Sequence, residues 1–358
     1  MMDKENKKLS LRNKIFRIAN VTFVSALGIF LVYYLLSRIN ISDLKSSFLK
    51  LYIPSLVIGL ILMISIDFFK ALRQNLLLGK DRIRFGDMFL ISLIRNAFNM
   101  VLPARTGELS YIYVLKRKFK IPVEKGVSTL AIGLIFDLII IFSMIIISVI
   151  IVGINRLEIS SANLIALAIL FLAATILLLS FLSKIVGIFI RLFEALFRKF
   201  GNLKKSKLFS YIYEKLIEIN KSIVIIHKRK IYWKVFLLTL ATRILKFTSY
   251  YFLIHAVLYP MGYTFAELSF WVIFLATVTA EFSAVLPTHA IAGLGTYEGA
   301  FALAFIALGF SEDTSIIVGF NYHLVNLVET IILGIISMTI LSLPFYKIKL
   351  QNAQDKIS

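Results

Sequence analysis

The chain has 358 residues, 59% of them hydrophobic, with no cysteine and a formal net charge of +20, and its mean hydropathy is +0.86. That hydropathy is far above a soluble domain, so reading the length as two soluble domains does not apply; the missing thiols exclude disulfides, thiolate metal sites and cysteine catalysis. The basic residues flank apolar stretches, so the charge reads as topology signal and anionic-lipid contact rather than as a nucleic-acid surface.

A basic start (Lys4, Lys7, Lys8, Arg12, Lys14 and Arg17) leads into an apolar stretch at 15–36. At about 1.5 Å per residue it covers roughly 33 Å, the thickness of a bilayer core. It is too long for a signal-peptide core and has no Ala-x-Ala site, so it is expected to stay as a signal anchor behind a cytoplasmic tail at 1–14. Five further full spans follow at 52–70, 126–152, 161–183, 231–257 and 314–343. Two apolar stretches are interrupted: 88–118 at Pro103 to Gly107, and 267–309 at Pro287 to Gly295. The segment 184–230 is a basic cytoplasmic linker in which Leu208, Ile212, Leu216, Ile219, Ile223 and Ile226 recur at helical spacing. It reads either as an amphipathic helix on the anionic inner leaflet or as one packed on other cytoplasmic segments. A tail at 344–358 closes the chain. The membrane part thus divides into an N-terminal half, 15–183, and a C-terminal half, 231–343.

Basic residues set the orientation. Lys70, Arg73, Lys80, Arg82 and Arg84 follow the second span, and Lys116, Arg117, Lys118, Lys120 and Lys125 follow the first broken stretch. Both groups are assigned to the cytoplasm, with both termini. The first broken stretch then enters and leaves on one side, as a re-entrant hairpin. Between residues 259 and 345 there is no Lys or Arg, so the second broken stretch re-enters from outside. The expected fold is therefore an all-α polytopic membrane protein of the cell membrane, with six full spans, two re-entrant broken hairpins and an inverted-topology repeat. Eight ordinary spans, two of them proline-kinked, are the competing arrangement.

The repeat has its own signature. Phe98-Asn99-Met100-Val101-Leu102-Pro103 matches Phe282-Ser283-Ala284-Val285-Leu286-Pro287 as Phe-x-x-Val-Leu-Pro. Gly107-Glu108 follows the first copy and Glu298-Gly299 the second. Glu108 lies 29 residues before Asp137, and Glu298 lies 31 before Glu329.

Charges inside membrane helices cost at least about 2.5–3.5 kcal/mol on insertion scales, so they are the candidates for function. They are Arg95, Arg105, Glu108, Asp137, Arg243, Lys246, Glu281, Glu298 and Glu329. The cations suit a phosphate-bearing headgroup, since Arg offers a planar fork for phosphate, or they serve to pair with Asp137, Glu281 or Glu329. Gly107, Gly293 and Gly295 beside the breaks would let backbone amides approach an anion. The carboxylates suit either proton relay or a cationic headgroup. Asp67 beside Lys70 is read as snorkelling, and His255 as interfacial. His289, just after Pro287, reads as a structural turn residue with a phosphate contact as the alternative. There is no His-Glu-x-x-His, no Gly-x-Ser-x-Gly elbow and no P-loop, so neither catalytic residue, cofactor nor metal is expected.

Leu102-Pro103-Ala104-Arg105-Thr106-Gly107-Glu108, with Pro122 and Asp137 beyond it, resembles the Leu-Pro-x-Arg-x-Gly-Glu motif of the flippase-like family named for the transmembrane region of lysylphosphatidylglycerol synthase. Gly293-Leu294-Gly295-Thr296-Tyr297-Glu298 resembles that family's Gly-Leu-Gly-x-x-Glu. The likeness covers roughly 15–343. It departs where the family often has Arg and this chain has Tyr111, where it often has Glu-Arg and the chain has Gly133-Leu134, and where it often has Tyr-Arg and the chain has Tyr322-His323. The resemblance implies a lipid flippase acting on an anionic or aminoacylated phospholipid or a polyprenyl-phosphate-linked glycan. A headgroup enzyme of the phosphatidylglycerol lysyltransferase kind and an ion-coupled solute transporter are the alternatives. Some relatives carry a soluble aminoacyl-transferase domain after the membrane region; this chain is expected to lack one.

Overall fold

The computed structural model describes residues 26, 29–102, 107–156, 187–188, 191–192, 207–283 and 291–342. Their regular structure is helical, with no strand among the described residues. The helices are α1 (Ile41–Leu49), α2 (Ile53–Leu78), α3 (Phe85–Val101), α4 (Glu108–Phe119), α5 (Val123–Arg156), α6 (Lys207–Lys228), α7 (Tyr232–Leu258), α8 (Phe270–Ser283), α9 (Thr296–Ala307) and α10 (Glu312–Ser342). Residues 29–36 are also helical.

Three segments are long and apolar enough to cross a bilayer: Ile53–Asp81, Val123–Val152 and Glu312–Ser342. They fall on the spans expected at 52–70, 126–152 and 314–343. Helix α7 has 27 residues and the length to cross, but its Lys234, Arg243 and Lys246 make it more polar. The span expected at 161–183 and most of 15–36 lie outside the described residues.

Both interrupted stretches are pairs of short helices. By their 17, 12, 14 and 12 residues, α3, α4, α8 and α9 extend only about 25, 18, 21 and 18 Å, each short of the roughly 30 Å core. Pro103 and Pro287 lie outside the described residues, yet the flanking backbone is telling. After the second break, Ala292 (φ 56°), Gly293 (φ 72°) and Gly295 (φ 84°) take left-handed conformations that glycine adopts without a Cβ penalty. After the first, Gly107 turns the chain back against α3 so closely that a Cβ would fall on the Asn99 backbone nitrogen.

Packing divides the chain into two compact units. One comprises Met1–Leu60, Asn96–Gly107 and Ser249–Ile335; the other comprises Ile61–Arg95, Glu108–Thr248 and Ile336–Ser358. Each draws on both halves of the sequence. In the first unit, Leu35, Ala302 and Ile316 form a buried cluster flanked by Ile39 and Phe320. There α2 and α7 approach closely: Ser249 Oγ donates to the Gly59 carbonyl (2.8 Å), and Ser55 Oγ meets His255 Nδ1 (2.8 Å). His255 is fully buried against the protein and stacks on Phe265 with ring centroids 3.6 Å apart. Between α7 and α8, Glu267 accepts from Thr264 N (2.7 Å) and Oγ1 (3.0 Å), which holds its carboxyl below the usual range.

In the second unit the core is Leu77, Ile132, Phe136, Ile223, Ile226 and Val235. Helix α2 runs eight residues past 70, so Arg73 lies within the helix that carries the expected span. Its last turns mix Lys70, Arg73, Gln74 and Asn75 with alanine and leucine, and Ala71, Arg73, Gln74 and Leu77 are all buried against the protein. Linker helix α6 likewise packs on protein from Ile219 onward, with Ile223 and Ile226 in the core and Ser128 Oγ donating to the Ile219 carbonyl (3.3 Å). That part of its apolar stripe is covered, while Lys221, Lys228 and Lys230 stay exposed. Just beyond α6, Arg229 donates to the carbonyls of Leu77 (2.9 Å) and Leu76 (2.6 Å) and so caps the C-terminus of α2.

Candidate functional site

The second unit holds a buried ionic network. Asp67, Lys70, Arg73 and Gln74 lie on α2 at spacings of three to four, which puts them along one face. Arg73 donates to both oxygens of Asp137 on α5, from Nη1 to Oδ1 at 2.9 Å and from Nη2 to Oδ2 at 3.2 Å. Its Nη1 also reaches Thr239 Oγ1 (3.1 Å). Arg243 on α7 approaches the same Asp137 Oδ1 from Nε (3.0 Å) and Nη2 (3.0 Å). One carboxylate thus holds two guanidiniums, one of them in the bidentate fork that gives the strongest ion-pair hydrogen bonds. Lys70 pairs with Asp67 at 3.7 Å, and Asp67 is only 5% exposed, so it is a buried partner and does not snorkel. Lys70 also feels Arg95, Arg243 and Asp137, which makes these charges one network.

Arg95 on α3 is buried, lies 3.8 Å from Glu108 at the start of α4, and stands over the Tyr111 ring (5.7 Å). The Tyr111 hydroxyl meets Thr129 Oγ1 (3.1 Å) and Gln74 Oε1 (3.4 Å). Gly133 faces the Arg73 guanidinium, with the place of a Cβ 3.3 Å from Nη2.

The first unit holds a network of different chemistry. Glu298 lies in the first turn of α9, where its Oε2 accepts from the Gly295 N–H (2.7 Å) across the left-handed turn. Its Oε1 meets His323 Nδ1 on α10 at 2.6 Å, and both side chains are buried. Tyr297 stacks on the His323 ring with centroids 4.3 Å apart, and its hydroxyl bonds that of Tyr322 (2.9 Å). Tyr322 bonds Tyr250 on α7, and Tyr250 bonds Glu281 on α8.

Of the residues singled out in the sequence, Arg95, Glu108, Asp137 and Arg243 therefore meet in one network, and Glu281, Gly295 and Glu298 in the other. Gly107 and Gly293 shape the two turns. Lys246 is half-buried on α7 three residues beyond Arg243, and Glu329 is half-buried on α10, accepting from Thr330 Oγ1 (3.2 Å). Arg105, Pro103, Pro287 and His289 lie outside the described residues. Sequence reasoning missed Arg73, taken for a loop charge, and His323, Tyr250, Tyr297 and Tyr322. The i, i+3, i+6 run of Asp67, Lys70 and Arg73 was the available signal for the first. No short-range pattern announces the tyrosines, which converge from three helices.

Membrane-length apolar helices that bury such charges define an all-helical, multi-pass membrane protein. Within that class, the chain belongs to the family described as lysylphosphatidylglycerol synthase TM region, whose model matches residues 18–334. It is thus a membrane protein of a family related to lipid modification or translocation. No curated protein matches the chain. The three departures from the family motifs fall on the two networks: Tyr111 and Gly133 beside Arg95 and Arg73, and His323 as the partner of Glu298.

Proposed function

We propose that this protein is a lipid translocase of the cell membrane, moving an anionic or aminoacylated phospholipid, or a polyprenyl-phosphate-linked glycan, between leaflets. The observation that carries the reading is a cluster of buried guanidiniums in the second unit. Lys70, Arg73, Arg95 and Arg243 lie with Asp67, Glu108 and Asp137. Arg73 Nε and Arg95 Nε are buried and find no hydrogen-bond acceptor among the described residues. Buried guanidiniums in membrane helices are costly, and the oxygens of a phosphodiester are suitable acceptors for them. The short paired helices and the glycine turns support two re-entrant hairpins of opposite orientation, with both termini cytoplasmic. Arg105, Lys246, Glu281, Gly293, Gly295, Glu298 and Glu329 are further candidates for headgroup contact, each taken from the sequence.

Full-length protein in vesicles, with headgroup-labelled anionic lipid, tests this. Wild type is expected to redistribute the label between leaflets without altering it. Arg95→Ala and Arg105→Ala should each slow redistribution about ten- to a hundredfold, the worth of a charge-assisted hydrogen bond of roughly 1.5–3 kcal/mol. The lysine variants should recover only part, because a point charge does not replace a fork. A chemically altered headgroup would assign an enzyme instead, and normal redistribution by both alanine variants would remove these arginines from the route.

Orientation has its own test. Arg117 and Asp313 are exposed, and the chain has no native cysteine. Arg117→Cys should resist an impermeant thiol reagent in intact cells, and Asp313→Cys should react. Labelling of both from outside would overturn the inverted arrangement.

A further inference from the structure

The network around Glu298 is built for a different task from the arginine cluster. Between residues 259 and 345 there is no Lys or Arg, so Glu298 has no permanently charged partner from that stretch. Its partner is His323, an imidazole whose ordinary titration lies near neutrality. The pair is 2.6 Å apart, and the two residues are 1% and 2% exposed. The described groups around the pair are Tyr250 from α7, Glu281 from α8, Tyr297 from α9, and Tyr322 and Asn326 from α10, with Glu329 six residues past His323; none of these is a cation. Helix α1, which packs on α10 through Ser47 and Asn321, carries Asp43 and Lys45, and both are exposed. The hydroxyls of Tyr297, Tyr322 and Tyr250 form a chain ending at Glu281, so a second carboxylate is joined by hydrogen bonds to the residue stacked on His323.

We propose that Glu298 and His323 form a proton-binding site that ties lipid movement to a proton gradient; the coupling, though not the site, rests on the translocase reading. In the deprotonated state His323 donates its Nδ1–H to the Glu298 carboxylate, and the pair carries one negative charge. A proton added at Nε2 gives imidazolium beside carboxylate, net neutral. Buried carboxylate–histidine chains of this kind serve as proton relays in membrane transporters. The link to motion is Gly295, whose N–H is held by the other oxygen of Glu298 at φ 84°. A change of charge at the pair therefore acts on the brace of the second hairpin turn.

Infrared difference spectra of the full-length protein in nanodiscs, between about pH 5 and 8, test the site without any transport assay. Wild type should show imidazole and carboxylate bands that titrate together. Histidine at 255 is a control, and His255→Gln should leave this linked titration in place. Glu298→Gln and His323→Gln should each abolish the linked change, because each removes one half of the pair. A wild-type spectrum without a linked change overturns the site, and needs no variant to do so; a linked change that persists in Glu298→Gln overturns it also. In vesicles, an imposed pH gradient should speed label redistribution several-fold in wild type and not in His323→Gln. Redistribution indifferent to the gradient in wild type overturns the coupling while leaving the translocase reading intact. Linked titration without any redistribution supports the site and overturns the translocase reading.

Discussion

Asp137→Ala should cost about 3–5 kcal/mol of stability, enough to prevent accumulation of the protein in the membrane. The carboxylate is the shared anchor of Arg73 on α2 and Arg243 on α7, with hydrogen bonds of 2.9 to 3.2 Å. Removing it leaves two guanidiniums facing each other in a buried place, with Lys70 nearby. Repulsion then adds to the desolvation that Asp137 had offset. Asp137→Asn keeps the shape and one acceptor oxygen but not the charge, so its loss should be smaller. Thermal unfolding of the detergent-purified variants measures the order: wild type, then Asn, then Ala. A variant Ala protein as stable as wild type would show that the network is held from elsewhere. Removing one cation is milder, because Asp137 retains the other.

Gly107→Ala should be nearly as severe for a steric reason. The new Cβ would lie 2.5 Å from the Phe98 carbonyl carbon and on the backbone nitrogen of Asn99. Neither is the mobile end of a side chain, so the turn itself must open. Overpacking of this kind typically costs about 1–3 kcal/mol. Gly107→Ala should lower the melting temperature and expose the first hairpin turn to protease. Gly262→Ala is a useful contrast: its φ is 95° but nothing lies within 4 Å, so its penalty is conformational alone. Equal stability of Gly107→Ala and wild type would mean that the hairpin is looser than its geometry.

Much of this was legible beforehand because membrane physics leaves few options. The long apolar helices over 52–70, 126–152 and 314–343 were legible because an apolar run of that length has one common explanation. The two breaks were found because proline and glycine interrupt such runs. The charged residues were found because charge in an apolar helix is rare enough to count. What could not be read was partnership. Arg73 looked like the basic flank of a span, since hydropathy averages over a helix and cannot see that one polar face is buried. Asp67 looked like a snorkelling charge for the same reason. The Glu298–His323 contact joins residues 25 apart in sequence, on two helices separated by a turn, and no local pattern announces it.

Arg229 has a consequence for how the chain is made. It closes the end of α2 by binding the Leu77 carbonyl, 152 residues earlier. At a synthesis rate of ~5–20 residues/s, roughly 8–30 s pass between the emergence of one partner and of the other. Over that interval the last carbonyls of α2 must be satisfied by water or lipid headgroups. The seam between the two stretches of polypeptide is sealed only when the residues after α6 arrive. A ribosome stalled before residue 229 should therefore carry an α2 whose end is still open to solvent, and hydrogen exchange at Lys80 and Asp81 should slow abruptly once that point is passed.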